Sequence, residues 1–370
     1  MGHLTLAKGQ VYQALAKRLD KNPVGARLND TLMEILYCMY TETEAKIGSE
    51  FPLGFTTLDR LAVITGLDEQ KLSVYLDNMA DKGLVIDVPR NGKTYFMLTP
   101  PVIGFFEYTF MRVTDKVPMQ QLAELFEQYH HEPGVAEEFF GAETKMFRTL
   151  LYESLIPEDV TTEVLTYQKA EDIIREAGSG ALTMCYCRHQ TKHLGKNCDA
   201  PIEDVCTSLG NAAEWLIRRG FARSASVDEM LQVLEKTEKL GLAHLGDNVQ
   251  NNPAYICHCC GCCCGVLRAI NEHQTPSVHP SPFIPREISE NCTGCGACVK
   301  RCHIKAISLM GEAQGNQKKA VINKERCIGC GACLAGCKNN AIEIVGRENV
   351  YVPPKNKKEQ MARIAREKGK

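Results

Sequence analysis

Residues 292–302 read CTGCGACVKRC and residues 327–337 read CIGCGACLAGC, so one cysteine pattern occurs twice at an offset of 35 residues. Each copy has the spacing Cys-x2-Cys-x2-Cys-x3-Cys and is followed by a short β-prone run, AISLM in the first copy and AIEIV in the second. The repeat predicts an internal duplication of one metal-binding unit.

The tight spacing winds the backbone around three corners of a cubic iron-sulfur cluster, and the glycines let main-chain amides approach the sulfides. The pattern resembles that of bacterial two-cluster ferredoxins over residues 286–346, in which the fourth cysteine of each run serves the other cluster. This resemblance implies two [4Fe-4S] clusters. It assigns Cys292, Cys295, Cys298 and Cys337 to one cluster, and Cys327, Cys330, Cys333 and Cys302 to the other.

Two features qualify the resemblance. Zinc is an alternative for any four cysteines, although two interleaved runs of this spacing disfavour it. The proline that usually follows the fourth cysteine is replaced by His303 in one copy and by Lys338 in the other.

Positive charge beside the clusters favours their reduced state and should raise their potentials. The residues that supply it are Lys300, Arg301, Lys305 and Lys338.

Ten further cysteines lie between residues 185 and 264. Residues 185–206 read CYCRHQTKHLGKNCDAPIEDVC and supply one complete ligand set, Cys185, Cys187, Cys198 and Cys206, which fits a [4Fe-4S] cluster or a zinc ion. Beside an iron-sulfur segment the cluster is favoured. His189 and His193 lie four residues apart and are candidate ligands or groups that surround the metal.

Residues 256–265 read ICHCCGCCCG. The candidate ligands in this run are Cys257, Cys259, Cys260, Cys262, Cys263 and Cys264. Because adjacent cysteines point in different directions, neighbours are expected to serve different clusters or to leave one thiol free. With the 185–206 loop, the run predicts one or two further iron-sulfur clusters, or a zinc ion with inert leftover thiols. The arrangement resembles that of cysteine-rich electron-transfer proteins of anaerobes.

The N-terminal part predicts three helices and a hairpin within residues 28–47, 56–66, 67–85 and 86–100. This order resembles a winged helix of the MarR-like kind, which implies DNA binding. The candidate recognition helix at 68–82, however, carries Asp68, Glu69, Asp77 and Asp81 against Lys71 and Lys82, and DNA phosphates repel such a helix. Docking to a protein is therefore favoured over binding to nucleic acid.

Composition sets broad limits. The 370 residues are 44% hydrophobic and 24% charged, which is typical of a globular protein of two to four domains. A net charge of -2 gives no general attraction to nucleic acid or to anionic membranes. No secretory signal or membrane span is predicted, so a cytoplasmic location is expected. Cys38, in MEILYCMY, is expected to lie in the core.

The expected fold class is α+β, with a mainly helical winged-helix region and central cysteine-rich region followed by a ferredoxin-like two-cluster domain. The expected boundaries are an N-terminal helix at 1–27, a winged-helix-like domain at 28–112, a helical cysteine-rich region at 113–284, a ferredoxin domain at 285–350 and a basic tail at 351–370. The tail carries seven Lys or Arg against two Glu and is expected to be solvated.

Together these features predict an iron-sulfur electron-transfer protein or subunit that relays single electrons to or from an oxidoreductase partner. No Rossmann fingerprint, P-loop or serine-centred triad is present, so catalysis by the chain itself is not indicated. Two alternatives remain. One is a redox-sensing transcriptional regulator that acts through the winged helix. The other is a reductase whose active cluster is bound by residues 257–264.

Overall fold

The computed structural model describes residues 2–156, 169–311 and 318–370, with side chains from Gly9 onward. The N-terminal part is built of helices α1 (Gly2–Asp20), α2 (Asp30–Met39), α3 (Glu42–Glu50), α4 (Leu58–Thr65) and α5 (Glu69–Asp81). Its strands are β1 (Thr56–Thr57), β2 (Val85–Arg90) and β3 (Lys93–Leu98), which form an antiparallel sheet in the order β1-β3-β2.

Local signals explain these elements. The first predicted helix divides into α2 and α3 because Thr41 forms a capping box with Glu44 and starts a new helix. The predicted hairpin turn is confirmed: Asn91 and Gly92 have positive φ between β2 and β3, as a two-residue hairpin turn requires. Cys38 is partly buried against the core.

The acidic helix α5 makes contacts within the chain. Asp77 and Asp81 lie 2.7 and 3.1 Å from Nη1 of Arg219, which lies beyond β3 in the sequence. Arg219 also pairs with Asp87 on β2 at 2.8 Å. Part of the negative charge on α5 therefore holds the N-terminal part against the centre of the molecule.

The central region contains helices α6 (Phe106–Phe110), α7 (Met119–His131), α8 (Val135–Phe140), α9 (Ala170–Ala177), α10 (Tyr186–His193), α11 (Gly210–Arg218), α12 (Val227–Lys239) and α13 (Gly265–Glu272). Its strands are β4 (Phe147–Leu150), β5 (Gly180–Thr183), β6 (Cys206–Leu209), β7 (Arg223–Ala225), β8 (Ala243–Asp247), β9 (Tyr255–Cys259) and β10 (Val278–His279).

These strands form a seven-stranded sheet in the order β10-β4-β8-β9-β6-β5-β7. All neighbouring strands in it are antiparallel except β10 and β4. The region contains the expected helices, but the sequence did not predict this sheet. Strands β4, β5, β6 and β8 are buried at every residue, so they show no alternation of apolar and polar residues that would reveal a strand.

The C-terminal part contains α14 (Ala297–Arg301), α15 (Ala332–Ala335), β11 (Phe283–Glu287), β12 (Ile307–Met310), β13 (Lys319–Ile322) and β14 (Ile342–Gly346). Strand β11 pairs with β14, and β12 pairs with β13. The two predicted β-prone runs are confirmed as β12 and β14. The duplication is also visible in the backbone, because Gly294 and Gly296 have positive φ and so do their equivalents Gly329 and Gly331.

The last helix, α16 (Lys357–Glu367), corrects the expectation of a solvated tail. Gln360 is fully buried, and its Nε2 donates to the carbonyl oxygens of Lys145, Met146 and Asn248 at 3.2 to 3.3 Å. Beyond the helix, Nζ of Lys370 lies 2.8 Å from Glu138. The basic end of the chain is thus docked by specific contacts.

One continuous hydrophobic core joins these parts, from α1 through the central cysteines to Ile364 in α16. Within the described parts of the chain, no helix combines the length and the apolar content that a bilayer crossing needs.

Candidate metal centres

Six cysteines converge beside the large sheet. They come from the start of α10, from the paired strands β6 and β9, and from the residue that precedes α13. In spatial order they are Cys185, Cys187, Cys264, Cys259, Cys257 and Cys206. Each thiol hydrogen-bonds to both of its neighbours in this order, which closes a circle that we call the six-thiol ring.

The ring thiols differ in acidity. Hydrogen bonds from Cys206 and Cys259 lower the pKa of Cys257 to about 6. Similar bonds hold the pKa values of Cys185 and Cys264 well below the ordinary value, and those of the other three thiols are raised. Half of the ring thus favours the thiolate form, which is the form that binds metal.

The other four of the ten cysteines form a separate and more compact group, called the four-thiol set below. Its members are Cys198, Cys260, Cys262 and Cys263, whose sulfur atoms all lie within 4.8 Å of one another. The Sγ atom of Cys198 lies 3.6 Å from that of Cys260 and 3.9 Å from that of Cys263. Cys262 is exposed at the protein surface, whereas the ring lies deeper.

This arrangement divides the cysteines differently from the sequence expectation. Cys185, Cys187 and Cys206 lie together as expected, but Cys198 lies with the later run. The expected divergence of adjacent cysteines occurs at two places: Cys259 and Cys260 belong to different groups, as do Cys263 and Cys264. Cys262 and Cys263, in contrast, lie in the same group with their sulfur atoms 3.7 Å apart.

The histidines of the 185–206 loop do not join either group. Nδ1 of His189 lies 2.8 Å from the carbonyl oxygen of Phe110, and Nδ1 of His193 lies 3.3 Å from Gln120. Both contacts place these rings against α6 and α7.

Arg188 is a functional residue that sequence reasoning missed. Its guanidinium is fully buried and donates to the carbonyl oxygens of Pro201 and His258 at 2.9 and 2.6 Å. Burial alone would lower the pKa of Arg188, but the negative charges of Cys185 and Cys260, one from each group, raise it. Arg188 therefore supplies positive charge to both groups. The only sequence signal was its position directly after Cys187.

Unpartnered buried atoms near the ring also fit a bound metal centre. Nε of Arg188, Oγ1 of Thr207 and Nε2 of His258 are buried without a hydrogen-bond partner. Thr207 and His258 are chain neighbours of ring cysteines. Buried donors of this kind are costly unless they find an acceptor, and cluster sulfides and thiolates are suitable acceptors. The donor set and its surroundings thus fit an iron-sulfur cluster.

In the duplicated segment, residues 292–337, equivalent contacts recur in both copies. The amide of Ala306 donates to Sγ of Cys302 at 3.1 Å, and the amide of Ala341 donates to Sγ of Cys337 at 3.3 Å. Amide bonds to the sulfur of a thiolate stabilise its negative charge and tune a bound cluster.

Cysteines of one copy of the duplicated segment interact electrostatically with cysteines of the other copy. Burial raises the pKa of Cys298, and the charges of Cys292 and Cys337 add to this effect. Burial likewise raises the pKa of Cys330 to about 12, with contributions from Cys327 and Cys302. Cys337 of the second copy therefore lies near Cys298 of the first, and Cys302 of the first copy lies near Cys330 of the second.

Two contacts join the duplicated segment to the central cysteines. The amide of Gly261, inside the four-thiol run, lies 3.2 Å from Nδ1 of His303, which follows Cys302. Nε2 of His303 in turn lies 2.6 Å from the carbonyl oxygen of Gly241. Asn271 bridges the same junction through bonds to the carbonyl oxygens of His303 and Gly261.

The second contact is a row of three buried aromatic side chains. Tyr152 packs beside Gly331, between Cys330 and Cys333. Its ring centroid lies 5.0 Å from that of His244, and the ring of His244 lies 4.9 Å from that of His258. His258 lies between two ring cysteines in the sequence, so the row connects the second copy with the six-thiol ring.

A cavity of about 690 Å³ reaches the six-thiol ring, and all six ring cysteines line it. At its outer side it is lined by Lys21, Leu53, Phe55 and Lys370, which are exposed. Glu107 lies in its wall and is buried, and burial raises the pKa of this carboxyl to about 8. The cavity therefore offers a largely apolar chamber with one protonated carboxyl near the ring.

Comparisons with known proteins agree with one part of this description. Residues 291–341 match the family described as 4Fe-4S dicluster domain. No curated protein and no solved structure matches the chain. The duplicated segment is thus similar to an iron-sulfur domain, and the cysteine groups support an iron-sulfur electron-transfer or redox role for the protein.

Proposed function

We propose that this protein relays single electrons through several iron-sulfur clusters, to or from an oxidoreductase partner. The observation that carries this proposal is the pair of connections between the duplicated segment and the central cysteines, a partly buried one through His303 and a buried one through Tyr152. A ferredoxin-like segment that only decorated another domain would need neither connection.

Each copy of the duplicated segment contributes three ligands to its own [4Fe-4S] cluster and one to the other. The first cluster is held by Cys292, Cys295, Cys298 and Cys337, and the second by Cys327, Cys330, Cys333 and Cys302. The crossed charge contacts of Cys298 and Cys330 support this pairing. When bound, such clusters exchange one electron each.

The six-thiol ring holds a further iron-sulfur cluster. Four thiolates would suffice for one [4Fe-4S] cluster. Six thiolates therefore permit a larger cluster, or a cluster in which an iron atom binds two thiolates. Arg188 balances part of the negative charge of the thiolates, and the row Tyr152, His244 and His258 fills the space between the second copy and the ring with aromatic side chains.

The N-terminal region with its exposed acidic and apolar side chains would provide the docking surface for the partner. Its order of helices and hairpin is compatible with a winged helix that binds protein. The charge contacts of α5 with Arg219 favour this use over the binding of DNA phosphate.

The relay is tested on protein purified without oxygen. Iron and acid-labile sulfide are measured per chain, and EPR spectra are recorded during stepwise reduction of the wild type and of a Cys259→Ser variant. The relay predicts more iron than two [4Fe-4S] clusters require, and a separate EPR signal that the variant loses. Iron for only two clusters in the wild type would contradict it.

A reductase that uses the ring cluster is the second candidate, and the cavity that reaches the ring favours it. A relay alone needs no chamber beside its cluster. Cyanide is a suitable small probe, because it binds iron that has an open coordination position. A change in the ring signal on addition of cyanide, with the signals of the duplicated segment unchanged, would support a reductase, and an unchanged ring signal would contradict it.

A further inference from the structure

The spacing of the sulfur atoms distinguishes the four-thiol set from the other cysteines. Three of its Sγ to Sγ distances are 3.6, 3.7 and 3.9 Å. A tetrahedral ion with metal to sulfur bonds of about 2.3 Å has sulfur to sulfur edges of about 3.8 Å. The set therefore already has the dimensions of a single tetrahedral metal ion.

A cubic cluster demands a different spacing. Each thiolate of a [4Fe-4S] cluster binds its own iron at a separate corner, so the four sulfur atoms spread around the whole cube. The other cysteines of this chain are less compact: among the described residues, no three cysteines outside the four-thiol set have all their sulfur atoms within 4.8 Å of one another. The four-thiol set is therefore the one cysteine group among the described residues that has the compactness of a mononuclear site.

We propose that Cys198, Cys260, Cys262 and Cys263 bind one zinc ion, which lies outside the electron path. A tetrahedral site made only of thiolates accepts zinc or iron, and divalent zinc binds such ligands more tightly than divalent iron. The assignment goes beyond the relay and does not depend on it, because zinc does not change its oxidation state in proteins.

Hydrogen bonds around the set stabilise thiolates. The amide of Cys263 donates to the sulfur of Cys260, and the amide of Cys198 donates to the sulfur of Cys263. The buried guanidinium of Arg188 adds positive charge near Cys260. Such outer contacts orient the ligands of a metal site and support their charge.

The position of the set in the chain gives the ion a structural task. Cys260 directly follows the ring residue Cys259, and Cys263 directly precedes the ring residue Cys264. Gly261, between two zinc ligands, contacts His303 of the duplicated segment. Zinc would thus tie the turn at 260–263 to the loop that carries Cys198. This turn positions two ring thiols and the junction with the duplicated segment.

The test measures zinc and iron per chain by mass spectrometry in holo protein purified without oxygen. Cys262→Ser and Cys198→Ser are compared with Cys295→Ser, a matched control because Cys295 is an exposed cysteine of the duplicated segment. We expect the first two variants to lose the single zinc ion and keep the iron of the duplicated segment, and the control to keep zinc and lose iron. Retention of zinc by the Cys262→Ser variant would overturn the proposal.

A measurement on the wild type keeps the proposal testable if the variants do not fold. X-ray absorption at the zinc edge should show four sulfur neighbours at about 2.3 Å. Nitrogen or oxygen neighbours would mean adventitious zinc, and absence of zinc from the purified protein or iron in its place would equally overturn the assignment. Iron content and EPR signals report on the relay separately, so the two proposals can fail independently.

Discussion

The amide of Gly261 donates to Nδ1 of His303 over 3.2 Å, and a Cβ atom at Gly261 would lie only 2.1 Å from the carbonyl oxygen of His303. The backbones of the central cysteine run and the duplicated segment therefore touch at a glycine. His303 directly follows Cys302, where the two-cluster ferredoxin pattern usually has proline. Proline at this position would have no side-chain nitrogen to accept the bond from Gly261.

Gly261→Ala should disrupt this junction, because the added methyl group has no space. Overpacking of this kind costs about 1–3 kcal/mol of folding free energy. We expect a lower melting temperature by circular dichroism and slower electron exchange between the duplicated segment and the ring. Gly346→Ala is the control, since a Cβ there meets no atom within 4 Å. Equal melting temperatures for both variants would contradict the close contact.

His244→Leu should slow electron transfer from the second copy to the six-thiol ring, because it removes the middle ring of the aromatic row. His244→Phe keeps an aromatic side chain and should retain most of the rate. Freeze-quench EPR after rapid reduction measures the rate directly. If the Leu and Phe variants react equally fast, the row does not serve as the route.

Arg188→Met should lower the midpoint potential of the ring cluster, because it removes a buried positive charge that stabilises the reduced, more negative state. The methionine side chain retains most of the apolar volume of the arginine stem. Redox titration followed by EPR should show a shifted ring signal and unchanged signals from the duplicated segment. An unchanged midpoint potential of the ring cluster would mean that the guanidinium of Arg188 does not influence the cluster.

Glu107→Gln tests the buried carboxyl in the cavity wall. Burial raises the pKa of Glu107 to about 8. Its contribution to stability is therefore complete below the unfolded-state pKa of about 4.3 and is lost as the pH rises through 8. Glutamine does not ionise, so the variant should gain stability relative to the wild type between pH 6 and 9, by on the order of a few kcal/mol. Melting temperatures across this range measure the difference, and a constant difference would contradict the raised pKa.

Asp87→Asn should loosen the N-terminal part from the centre. Asp87 is buried and pairs with Arg218 at 2.5 Å and with Arg219 at 2.8 Å. Removal of one partner of a buried ion pair costs about 3–5 kcal/mol. The pKa of Asp87 is lowered, because the bonds from Arg219 and Arg218 outweigh the effect of burial, so the wild-type advantage should disappear as the pH falls through the folded-state value.

Thermal unfolding of the Asp87→Asn variant at neutral and acidic pH measures this effect. Iron content should stay at the wild-type level, because the side chain of Asp87 bonds to Trp215, Arg218 and Arg219 and to no cysteine among the described contacts. A matched control is Asp204→Asn, which removes an exposed pair with Arg223 and should change stability by less than about 1 kcal/mol.

The sequence predicted the elements whose signals are local. The duplicated cysteine runs and the hairpin turn at Asn91 and Gly92 both depend on residues a few positions apart. The seven-stranded sheet was missed, because its short buried strands lack alternation and pair with partners far along the chain.

The grouping of the ten central cysteines could not be predicted from the sequence either. Cys198 lies closer in sequence to Cys206 than to Cys260, yet its sulfur lies 3.6 Å from that of Cys260. The group to which Cys198 belongs depends on how the loop before β6 folds over the turn before α13. Cysteine spacing carries no information about this folding. The docking of α16 depends in the same way on carbonyl groups more than a hundred residues away.

The docking of helix α16 bears on how the six-thiol ring receives its cluster. Lys357, Met361, Ala365 and Lys370 line the cavity through which the six-thiol ring is reached. Without a docked α16 this part of the wall is missing, and the ring is open to donors of iron and sulfide. A cluster assembled at that stage would be enclosed when α16 docks, and a chain in which α16 docks first would have to release the helix again to receive its cluster.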